Sequence, residues 1–188
     1  MPPVNPAARS VLRRGSGLCR VCGVERESIQ HLTHCSEVGK IFAAFRELTD
    51  IDTSEWSDNE QERFDLFALL PEGELDEGWI NLHLLLWKYI IAAMVRVDTE
   101  EETFSISEVW RAAWTRMQRK MLALHERKKT VILRALSRGE EEPDMSEAGS
   151  AMEPIASLDA EGKLKWNKEL VKKIKAQIIL CLLYTSDA

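Results

Sequence analysis

Residues 19–35 read CRVCGVERESIQHLTHC, and no other stretch constrains the chain as strongly. It holds three of the four cysteines and two of the four histidines. Cys19 and Cys22 are spaced C-x2-C, and Gly23 follows where a chain reversing around a metal needs a permissive backbone. After eight intervening residues comes His31, and Cys35 lies four beyond it. On a helix that spacing puts His31 and Cys35 on one face, so the four side chains can close a tetrahedral Cys3His site. Thiolate and imidazole together suit Zn2+ better than harder cations. With protein ligands at all four corners, the expected site is structural and has no position for a catalytic water. His34 is the alternative fourth ligand, although it directly precedes Cys35 and would face another way on a helix. The competing reading makes the cysteines small buried hydrophobes beside a loop histidine.

The rest of the chain reads as mainly α. Val38, Ile41, Phe42, Phe45 and Leu48 share one helical face. Ser57 or Asp58 is placed to cap a short helix that Pro71 stops. Residues 78–97 form a largely buried helix, broken by DTEEET, and Ser105 or Ser107 caps a long amphipathic one over 106–138 with Gly139 as its stop. The expected organisation is a disordered Pro-rich N-terminus (1–17), a zinc knuckle with its following helix (18–48), a helical domain (49–138), an acidic linker without fixed structure (139–161), and a last amphipathic helix (162–180).

Charge is segregated behind a net of -6. Residues 49–104 carry fifteen acids against three bases, whereas 105–138 carry nine bases against two acids. The acidic balance argues against indiscriminate nucleic-acid binding and leaves the basic segments as contact surfaces. The N-terminal stretch lacks the apolar region of a signal peptide, and the apolar runs are too short or too interrupted for a membrane span. Clustered cysteines and histidines fit metal in a reducing compartment better than disulfides. The expected location is intracellular, nucleus or cytoplasm, with no membrane partner.

The knuckle segment resembles the zinc-binding region at the C-terminal end of non-LTR retrotransposon reverse transcriptases, through Cys19, Cys22, Gly23, Glu27-Ser28, His31-Leu32 and Cys35. Many relatives have four residues between the histidine and the last cysteine; here there are three. LHLLLWKYII and EVWRAAWTRM look like the Trp-containing helical tails that follow such knuckles. The resemblance implies a role in holding template RNA or target DNA. No Tyr/Phe-Ala-Asp-Asp polymerase motif is present, so the chain would be a detached piece and not the polymerase. The ending CLLYTSDA resembles translated library adapter, which implies that 181–188 is an artefactual tail, that Cys181 has no function and that the last helix is cut short.

No enzyme is expected. Pro143-Asp144, Asp159, Glu161 and Lys163 imitate a restriction-like nuclease signature, but they stand in acidic sequence with no strand-like run around them. Trp110 and Trp114 read as core, and His83 and His125 as structural or solvated. The leading expectation is a zinc-binding, RNA- or DNA-binding fragment. Cys19, Cys22, His31 and Cys35 would hold the metal. Arg13, Arg14, Arg20 and Arg26 would contact phosphates, with Arg116, Arg119 and Lys120 of the basic helix as a second surface. The rival is a zinc-stapled helical module that docks a protein partner through its amphipathic helices.

Overall fold

The computed structural model describes residues 17–100, 103–139, 153–158 and 163–184. It is mostly helical. The elements are α1 (Ile29–His34), α2 (Ser36–Thr49), α3 (Asp58–Phe67), α4 (Glu77–Glu100), α5 (Ile106–Ser137), β1 (Ala156–Leu158), β2 (Leu164–Trp166) and α6 (Lys168–Tyr184).

Hydrophobic spacing explains α2: Val38, Ile41, Phe42, Phe45 and Leu48 step by three and four, and all five are buried. Its end comes at Asp50, which turns left-handed at φ 53. Ser57 rather than Asp58 caps α3, through a reciprocal capping box with Glu60. Ser105 caps α5, its hydroxyl accepting from the amide of Glu108. The expected break after residue 97 falls later, because α4 continues to Glu100. No glycine or proline occurs there to force a stop.

Helices α4 and α5 run antiparallel, joined by Lys120 to Asn81 at one end and Arg96 to Glu108, 3.9 Å apart, at the other. Trp79, His83 and Trp87 of α4 form an aromatic cluster with Phe42 and Phe45 of α2 and Phe64 of α3, with contacting ring centroids 5.0–6.3 Å apart. Over Glu77–Val97, α4 is long and apolar enough to cross a bilayer, yet Leu82, Leu86 and Ile90 are turned wholly into this core. His83 Nε2 and Trp87 Nε1 both donate to the carbonyl of Asp65, at 2.9 and 2.7 Å, fastening α4 to α3. His83 is therefore structural, and Trp110 and Trp114 are core.

The C-terminal region departs from the sequence expectation. The acidic stretch is not linker to its end: Ile155 is fully buried, and β1 pairs antiparallel with β2 in the register Ala156 to Trp166. Leu164–Trp166 is thus strand and not the start of the last helix. Leu164 and Trp166 satisfy a two-residue period as well as a helical one, and the Asn167 side chain caps α6 by accepting from the Leu170 amide at 3.2 Å. Trp166 meets Trp114 edge-to-face at 6.0 Å, and the Gly78 amide donates to the carbonyl of Glu153 at 3.0 Å, so this segment is bound to both α5 and α4. The strands also remove the ground on which the nuclease pattern was set aside; Pro143, Asp144, Asp159 and Glu161 lie outside the described residues. So do residues 1–16 of the N-terminal segment and 185–188 of the tail, while α6 runs on through Tyr184.

Candidate metal centre

The knuckle is a short reversal. Leu18 and Arg26 form an antiparallel bridge, the Cys19 amide donates to the carbonyl of Glu25 at 2.6 Å, and the Gly23 amide donates to that of Cys19 at 2.7 Å. Gly23 takes φ +69, the left-handed conformation that a side chain would strain. The turn carries Cys19 and Cys22, and α1 brings His31. Cys35 does not share a helix with His31 as the spacing predicted. It sits extended at φ -64, ψ 124, closing α1 and opening α2. The bend delivers its sulfur to the same point.

The ligand atoms of Cys19, Cys22, His31 and Cys35 all lie within 4.8 Å of one another. Zinc bonds of about 2.3 Å to sulfur and 2.0–2.1 Å to nitrogen give tetrahedron edges of about 3.5–3.8 Å, so the set needs only slight contraction to close on an ion. Cys22 Sγ is already 3.3 Å from His31 Nε2. His34 is exposed, its Nδ1 3.0 Å from the carbonyl of Gln30, which leaves His31 as the histidine of the cluster.

Electrostatics match the same assignment. Burial pushes the Cys19 thiol up, and takes that of Cys35 to about 12 against the opposing backbone amides of Val38 and Glu37. Burial also opposes ionisation of Cys22, but the amides of Val24 and Glu25 and the His31 ring outweigh it and hold that thiol at about 6. Burial likewise disfavours charge on His31, whose pKa is nevertheless raised by Cys22 and Glu25. A bound dication supplies the positive charge that crowded, buried thiolates otherwise lack.

Two supporting contacts brace the cluster. Glu25 Oε2 stands 3.0 Å from His31 Nδ1; a proton on Nδ1 directed at this carboxylate would leave the Nε2 lone pair free to ligate a metal. The Glu25 contact exists only because the knuckle folds back on α1. Second, the Glu27 carboxylate receives the Arg20 amide at 3.1 Å and its guanidinium at 2.6 and 2.7 Å, while the same guanidinium reaches the carbonyl of Met94 on α4 at 3.4 Å. The Arg20 and Glu27 side chains are 9% and 4% exposed. This corrects the expectation for Arg20: it is committed to holding the knuckle on α4 and does not offer its charge to a phosphate. Ser28 caps α1 by accepting from the His31 amide at 2.9 Å. The Glu27-Ser28 pair of the motif thus has two physical jobs, neither of them ligation.

Of the other predicted contact residues, Arg26, Arg116, Arg119 and Lys120 are exposed, and Arg13 and Arg14 lie outside the described residues. The structure defines a mostly helical protein whose N-terminal knuckle assembles a Cys3His group close enough to bind a metal. No family model matches the chain, and no significant match is found among curated proteins or solved structures.

Proposed function

We propose that the protein is a zinc-binding, nucleic-acid-binding module, related to the region that follows the polymerase in non-LTR retrotransposon reverse transcriptases and without polymerase activity of its own. The observation that carries the zinc assignment is the convergence of three sulfurs and His31 Nε2, with Glu25 bracing the imidazole. Zinc here supplies folding energy and not catalysis, because all four positions belong to the protein. Support for a nucleic-acid partner is electrostatic: Arg26 on the knuckle and Arg116, Arg119 and Lys120 of α5 are exposed, and residues 105–138 carry nine bases against two acids. The module works in a reducing intracellular compartment, away from membranes.

The test is zinc per chain, followed by binding of a labelled RNA with and without chelator. One equivalent, lost in Cys35→Ser together with RNA affinity, is the expected result. No metal in either protein overturns the zinc assignment. Zinc without chelator-sensitive, salt-dependent RNA binding overturns the nucleic-acid reading. That outcome favours a protein-docking module, whose specific support is the exposure of Leu122, Leu133 and Leu136 along α5.

A further inference from the structure

Resting on the nucleic-acid reading, we infer that the groove between α4 and α5 is the track for a single-stranded nucleic acid, with arginines holding its phosphates and Tyr89 stacking a base. The groove is about 350 Å³ and is lined by Tyr89 and Arg96 from α4 and by Glu108, Arg111, Arg116 and Arg119 from α5, with Ala112 and Thr115 between. Arg111, Arg116 and Arg119 are exposed and enter no ion pair among the described residues. They stand along about 12 Å of helix, at 1.5 Å per residue. Their charge is not spent inside the fold, as that of Arg20 and Arg46 is.

The aromatic wall selects among polyanions. A free phosphate has no use for a ring, whereas a positively charged groove with an aromatic side chain is the arrangement that tracks single strands. Tyr89 is half-buried in the α4 wall, and Lys88 Nζ lies 5.9 Å from its ring centroid. Stacking needs a base already out of a duplex, so the ring favours single strands over double helix. Glu108 is the one carboxylate of the lining and repels the backbone at the Arg96 end, 3.9 Å from Arg96 Nη2.

The experiment measures fluorescence anisotropy of a labelled oligouridylate, its deoxy counterpart and a duplex, as a function of salt, with the zinc-loaded full chain. Three phosphate contacts predict that log affinity falls with log salt at a slope of about -2 on single strands. Arg111→Gln, Arg116→Gln and Arg119→Gln each reduce that slope by about 0.7. Tyr89→Leu weakens single strands about tenfold and leaves the slope unchanged, while Tyr89→Phe binds as the parent does. Glu108→Gln strengthens binding, a direction that damage to the fold would not produce; melting temperatures accompany every variant.

Single-strand binding unmoved by the groove variants but lost in Arg26→Ala overturns the groove and spares the nucleic-acid reading. Equal affinity for duplex with no effect of Tyr89→Leu also overturns it. No binding to any of the three probes overturns both.

Discussion

Removing the Arg20 guanidinium should destabilise the protein far more than removing the neighbouring Arg26, although both were read from the sequence as phosphate contacts. The Arg20–Glu27 pair is enclosed, 9% and 4% exposed, and closed by two charge-assisted bonds of 2.6 and 2.7 Å. Breaking such a pair from one side leaves a buried charge with no counterion, at a cost of about 3–5 kcal/mol. Arg20→Ala strands Glu27, whose carboxylate retains only the Arg20 amide at 3.1 Å, and it also frees the knuckle from the Met94 carbonyl. Arg26 is exposed, and its replacement by alanine should stay within about 0.5 kcal/mol. The double variant Arg20→Met/Glu27→Gln removes both charges at similar volume, and should recover most of the loss. Urea unfolding at saturating zinc, followed by tryptophan fluorescence, measures all three. An Arg20→Ala cost below about 1 kcal/mol, or a double variant as unstable as the single, would refute the claim that this ion pair holds the knuckle in place.

Glu25→Gln should lower zinc affinity about 10- to 100-fold without changing the stoichiometry at saturation, read by competition with a chromogenic chelator. His83 carries a pH dependence. Burial lowers its pKa to about 4, against the bonds to Asp65 and Phe64, so the unfolded chain takes up the proton first. Stability is therefore full above about pH 6.5 and falls as the pH drops towards 4, by about 3 kcal/mol. Urea midpoints over that range should lose this component in His83→Leu. Ile155→Ala should cost about 2–5 kcal/mol, as for a filled core position, whereas a residue in a solvated linker would cost almost nothing; the same denaturation assay decides.

Much of the molecule was legible in its residues, and the physical reasons differ by region. The face of α2, the caps at Ser57 and Ser105 and the extent of α5 are local matters: a repeat of 3.6 and a side chain that bonds an amide three residues on need no other part of the chain. The four ligand residues were legible for a related reason, since few groups other than thiols and imidazoles ligate a soft cation, and their spacing is short. Locality fails at Cys35. A four-residue step placed it on a helix with His31, and a break in that helix gives the same juxtaposition by a different path.

Everything that depends on which surface meets which was decided by tertiary structure. Arg20 and Arg26 are six apart in one basic-looking segment, yet one is sealed against α4 and the other faces water. The acidic run before Ile155 looks like solvated linker because composition reports average polarity, whereas one fully buried isoleucine and a three-residue strand pairing are enough to bind the segment after it to the core. The α4–α5 groove exists only because the two helices lie antiparallel and bring Tyr89 beside arginines more than twenty residues away. The sequence by itself determined the main helices of this protein and the chemistry of its candidate metal ligands, since both arise from short-range bonding. Tertiary packing decided which charges are consumed inside the fold and which remain at the surface, because burial belongs to the whole chain and not to any segment of it.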